Sequence, residues 1–108
     1  MSVTLINLFT APADGEEDFL ARFRAMAERS AGLLGFEGAE LHRNTGVGDQ
    51  TYRFVNIATW ESAEAWQAAL PKILAGVGMS GGVIPKAALY ESVLRLSKDG
   101  QSPIPGAP

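Results

Sequence analysis

Short apolar runs bounded by turn residues alternate along the chain with longer stretches whose apolar positions recur at three and four residues, the patterns of strands and helices. "VTLINLF" (3–9) is β-branched at its start and closed by "TAPADG", which predicts a first strand ending in a turn. From Asp14 the period changes. Phe19, Leu20, Phe23, Met26 and Ala27 share one side, with Arg22, Arg24, Glu28 and Arg29 on the other, predicting a helix over 15–30. Asp14 and Glu17 have capping-box spacing, and Gly32 and Gly35 offer left-handed stops. "FEGAELHRN" (36–44) predicts a second strand, "TGVGDQ" a hairpin loop, and "YRFVNIATW" (52–60) a third strand antiparallel to the second. Ser62 can cap a second helix with Trp66, Ala69, Leu70 and Ile73 on one face, while Pro71 should end or kink that helix or open a new short turn. After the glycine-rich "AGVGMSGGV", "AALYESVLRL" (87–96) predicts the last strand.

The order βαββαβ predicts an α+β domain of ferredoxin-like topology over residues 1–96, with a four-stranded antiparallel sheet and both helices on one face. "SKDGQSPIPGAP" (97–108) reads as a flexible C-terminal tail. In the third strand both alternating faces are largely apolar: Tyr52, Phe54, Asn56, Ala58 and Trp60 on one, Arg53, Val55, Ile57 and Thr59 on the other. The first strand repeats this, with Val3, Leu5, Asn7 and Phe9 against Thr4, Ile6 and Leu8. A sheet covered by helices on one face only should alternate apolar with polar, so a second cover is implied. Another copy of the same sheet supplies it, and the expected assembly is a homodimer packed face to face.

Composition sharpens this picture. At 46% hydrophobic and 19% charged, the chain is too apolar to be disordered and slightly under-charged for a small monomer, which agrees with apolar surface shared between copies. A net charge of -3, a pI near 5.0 and the lack of any basic cluster remove the electrostatic case for nucleic acid and for anionic membranes. No apolar stretch approaches the ~20 residues of a membrane span and "MSVTLINLFTAPADGEE" has no basic start, so a cytoplasmic protein is expected. With no cysteine and a single histidine, His42, neither a disulfide framework nor a His/Cys zinc site can be assembled, and no metal site is expected.

The candidate chemistry lies on the strands. Asn7 and Asn56 fall on neighbouring strands of this topology, on faces shared with Phe9, Phe54 and Trp60, so two carboxamides and an indole N–H could enter one apolar space. A buried unpaired amide costs about 1 to 3 kcal/mol, so each needs a partner, and neighbouring amide, backbone, water or ligand could all serve. Apolar walls with a few convergent hydrogen-bonding groups are the form of a small-molecule site. Trp66 fits a core position or a pocket wall, His42 a surface or dimer-edge position, and Tyr90 either a core position or a proton donor in the pocket.

"VTLINLF", a helix, "GFEGAELHRN" and above all "FVNIATWESAEAW" resemble the antibiotic biosynthesis monooxygenase family, a resemblance covering about residues 3–96. It implies a dimeric α+β barrel. The family includes cofactor-free oxygenases of aromatic polyketides and enzymes that degrade haem. Asn56 and Trp60 match the substrate-facing Asn and Trp of the polyketide branch, but Trp66 stands where that branch has a pocket tyrosine, and its arginine is missing from "AGVGMSGGV". Asn7 and Trp60 match residues of the haem-degrading branch, yet 61–90 contain no histidine for iron. The resemblance therefore implies a cofactor-independent monooxygenase acting with O2 on a quinol- or anthrone-like aromatic. Asn56 and Trp60 would be its catalytic residues, with Asn7, Phe9, Phe54, Trp66 and Tyr90 around the substrate. A non-catalytic binding dimer and a haem protein remain as alternatives.

Overall fold

The computed structural model describes residues 2–12, 15–74 and 85–102. Its elements are β1 (Val3–Phe9), α1 (Glu16–Ala31), β2 (Phe36–Arg43), β3 (Phe54–Trp60), α2 (Ala63–Leu74), β4 (Pro85–Tyr90), β5 (Arg95–Ser97) and β6 (Gly100–Ser102). The first four strands form one antiparallel sheet in the order β2-β3-β1-β4, the expected ferredoxin-like arrangement. Among the described residues, no helix is long and apolar enough to cross a membrane.

Helix α1 opens on Glu16, Glu17 and Asp18 and carries Arg29 in its last turn, charges that oppose the helix dipole at each end. Gly15 takes the N-cap position; Asp14, the expected capping residue, lies outside the described residues. Helix α2 is capped as its sequence predicts, the Ala65 N–H donating to Ser62 Oγ at 3.1 Å. Pro71 does not end it. The helix runs on to Leu74, and because Pro71 and Gln67 are both exposed, the Gln67 carbonyl that loses its N–H donor faces water.

The last strand differs from expectation. Strand β4 stops at Tyr90, where its register against β1 has reached Thr4, and little of β1 is left for residues beyond Tyr90 to pair with. Residues 95–102 instead form the separate β5–β6 hairpin, which crosses the expected boundary at residue 96.

Both helices pack on the sheet face that carries Leu5, Phe9, Phe54, Ala58 and Trp60, all buried. Two clusters make up the core: Leu5, Ala58, Trp60, Ala69 and Ile73 in one, Phe9, Phe19 and Phe54 in the other. Phe54 stacks on Phe19 with ring centroids 4.6 Å apart, and Phe9 meets Phe19 edge-on at 5.1 Å. The opposite face presents Ile6, Leu8, Val55 and Ile57, and Ile57 is 40% exposed within the chain. Glu16 ties α1 to the sheet by salt bridges to Arg43, at 3.1 Å, and to Arg53. The hydrogen bond from Arg53 holds its carboxyl below the usual range; desolvation opposes this, and the charges of Arg53 and Arg43 add smaller lowering effects.

Gly35 sets the approach of α2 to the start of β2. Its φ is +91°, its carbonyl accepts the Glu61 N–H at 2.7 Å, and a Cβ there would stand 2.5 Å from the Ala65 Cβ. Gly35→Ala is expected to cost about 2 to 4 kcal/mol, combining left-handed strain with overpacking. Urea unfolding measures it, and an unchanged midpoint would contradict the role given to this glycine.

Candidate functional site

Strand register places Asn7 directly opposite Asn56. On β1, Asn7 falls between Leu5 of one core cluster and Phe9 of the other; on β3, Asn56 falls between Ala58 and Phe54 of the same two clusters. The asparagine pair therefore divides the core, and the space over it is a cavity of about 230 Å³. Its floor takes Leu5, Asn7 and Phe9 from β1, Phe36 and Ala39 from β2, Asn56, Ala58 and Trp60 from β3, and Ala87 from β4. Helix α1 adds Phe23, Met26, Ala27 and Ser30, and α2 adds Trp66, Leu70, Ile73 and Leu74. Leu74, 46% exposed, stands at the rim.

The polar groups of this cavity are few and under-satisfied. Asn7 Oδ1, Asn56 Oδ1 and Trp60 Nε1 are buried with no hydrogen-bond partner among the described residues. Native interiors rarely leave such groups unpaired, because each costs about 1 to 3 kcal/mol. Three such atoms belong to residues of this one cavity. Among the described residues, no side chain lining the cavity is ionisable. The two carboxylates with clearly shifted pKa values, Glu16 and Asp49, both lowered, are not among the lining residues.

Of the residues singled out from the sequence, Asn7, Phe9, Asn56, Trp60 and Trp66 line the cavity. Phe54 does not: it is 1% exposed and packs against Phe19 behind the cavity wall. Tyr90 does not line it either. It pairs with Thr4 on the open face of the sheet and is 51% exposed, with the sheet between its hydroxyl and the cavity. His42 lies on the same open face, opposite Val55 on the edge strand, its Nε2 3.0 Å from Glu40 Oε1.

Of the twelve described lining residues not named as site residues from the sequence, Ser30 and Phe36 are the most informative. Ser30 is 8% exposed and donates to the Met26 carbonyl at 3.0 Å, leaving its oxygen able to accept from within the cavity. It continues the stripe of Phe23, Met26 and Ala27 by three residues, a signal that was legible. Phe36 was not legible: the register shifts between Phe36 and Gly38, and this bulge brings Phe36, opposite Trp60, onto the same face as Ala39, opposite Ala58.

Topology and cavity together define an α+β domain of ferredoxin-like form with an apolar cavity between sheet and helices. The chain belongs to the antibiotic biosynthesis monooxygenase family, whose profile matches residues 2–71. Among solved structures it is similar to a candidate monooxygenase of Shewanella loihica PV-4, with 30% identity over 85% of this chain and 94% of that one, at a TM-score of 0.67. It is similar also to the haem degrader MhuD of Mycobacterium tuberculosis, a structure with two haems bound in its active site (29%, 88% and 99%, 0.65). In fold it resembles SnoaB, a cofactor-independent oxygenase of Streptomyces nogalater (24%, 90% and 98%, 0.66). No curated protein matches the chain.

Because the Asn56 carboxamide oxygen is buried without a partner, Asn56→Leu should raise the stability of the unliganded protein by about 1 kcal/mol. Thermal unfolding without ligand reads the change; destabilisation of similar size would mean that Asn56 is a structural residue.

Proposed function

We propose that this protein is a cofactor-independent monooxygenase oxidising an electron-rich aromatic of the quinol or anthrone type with O2. The observation that carries the reading is the convergence of three polar groups without a partner among the described residues, on Asn7, Asn56 and Trp60, in one apolar cavity. Asn56 and Trp60 are four residues apart on one face of β3, about 13 Å along the strand, so a flat ligand of several fused rings could meet both. Membership of a family described as monooxygenases, and likeness in fold to a cofactor-independent oxygenase, support oxygen chemistry.

For an anthrone, the methylene loses two hydrogens and gains one oxygen atom, and the second oxygen atom leaves as water. All four electrons taken up by O2 come from the substrate, so the count closes without a reductant. With no ionisable side chain among the described residues that line the cavity, ionisation draws on the acidity of the substrate itself. The indole N–H of Trp60 then donates to the developing negative charge and the Asn7 and Asn56 carboxamide oxygens accept from the substrate's hydroxyls, while Phe9 and Trp66 wall the ring. His42 and Tyr90, on the open face, take no part as a base in their own chain's cavity.

Haem does not fit this cavity as well: residues 61–90 contain no histidine, and the one imidazole, on His42, lies across the sheet. A second reading, a dimer that holds an aromatic without oxidising it, is favoured by the same lack of an ionisable group. Oxygen uptake with anthrone decides between them. Asn56→Ala and Trp60→Phe are each expected to lower turnover by about 10²-fold, and turnover unchanged in both would overturn the assignment.

The partner in this reading is a second copy of the chain, seated on the face of Ile6, Leu8, Val55 and Ile57 to close a dimeric α+β barrel. Sedimentation should give twice 11.4 kDa, and Ile57→Lys should return the mass to that of one chain. A wild-type monomer at micromolar concentration would rule the dimer out.

A further inference from the structure

We infer that the cavity accepts its aromatic ligand only in uncharged form and discriminates against aromatic acids. The inference rests on the reading of the cavity as an aromatic-binding site and adds the charge class of what enters it. Seventeen of the described residues, from six elements, line the space, and their polar side-chain groups are two carboxamides, the indole N–H groups of Trp60 and Trp66 and the Ser30 hydroxyl, all formally neutral.

Two cations near the sheet, Arg43 and Arg53, are already engaged. Both pair with Glu16, Arg53 also donates to the Asn44 carbonyl at 3.0 Å, and Arg43 stands over the Phe54 ring. A carboxylate drawn into this space would lose its hydration and find no counter-charge. Carbonyl and hydroxyl oxygens, by contrast, match the neutral donors and acceptors on Asn7, Asn56, Trp60 and Ser30. The asymmetry is one of charge, not of shape.

Charge and shape are separated by 9-fluorenone-4-carboxamide and 9-fluorenone-4-carboxylate, which share one tricyclic frame and do not react with O2. Trp60 and Trp66 both line the cavity, so quenching of intrinsic fluorescence reports occupancy. At pH 7 the carboxamide is expected to bind at least about tenfold more tightly than the carboxylate. Leu74→Arg, which sets a cation at the rim, should bring the two within about threefold. Equal or tighter binding of the carboxylate to the unaltered protein, failure of the carboxamide to bind, or an unchanged ratio in the Leu74→Arg variant would each overturn the inference. A protein that shows the expected preference yet consumes no oxygen with anthrone would fail as an oxygenase and leave this inference standing.

Discussion

The opposition of Asn7 and Asn56 at the centre of the sheet is the constraint on which the rest of this molecule depends. Had both positions been leucine, the clusters around Trp60 and around Phe9 would merge into one continuous core beneath the helices. The two carboxamides interrupt it. Large side chains on either side, Trp60, Phe9 and Phe54, are almost fully buried and act as props that hold the helices off the floor between them. A cavity follows from this arrangement as a packing consequence, because the aromatic props fix the layer spacing and the shorter asparagines do not fill it.

The cavity carries an energetic tension that a core built only for stability would avoid. Unpartnered amide oxygens and an indole N–H in apolar surroundings destabilise the unliganded fold, and the same groups become useful when a ligand with complementary oxygens or hydroxyls arrives. The surroundings decide which ligands gain. With neutral walls and a low local dielectric, preorganised dipoles act strongly on charge that develops during a reaction, whereas a full charge carried in from water has no counter-charge to meet it.

The two faces of the sheet divide the work. Helix-facing positions hold the cavity, and the other face holds Ile6, Leu8, Val55 and Ile57 with His42 and Tyr90 among them. One-sided helical cover leaves that apolar surface open in a single chain, and this exposed surface is what supports the proposed dimer. The β5–β6 hairpin lies beyond the sheet with Leu96 67% exposed and Val93, just before it, 66% exposed, adding to the apolar surface a lone chain would show to water.

Much of this was legible from local pattern. The βαββαβ order, the helix at 15–30 displaced by one residue, the Ser62 cap and the sharing of one face by Asn56 and Trp60 all follow from periodicity and turn chemistry, which act over a few residues. What tertiary structure decided depends on register and on where partner strands end. The bulge before Gly38 turned Phe36 into the cavity, the end of β1 stopped β4 at Tyr90, and pairing with Thr4 sent Tyr90 to the face away from the site. Phe54 shares its strand face with Asn56, yet Phe19, from a helix more than thirty residues earlier, closed over it. Alternation along a strand determines which side a residue points to; only packing between distant elements decides whether it meets a neighbour or a cavity there.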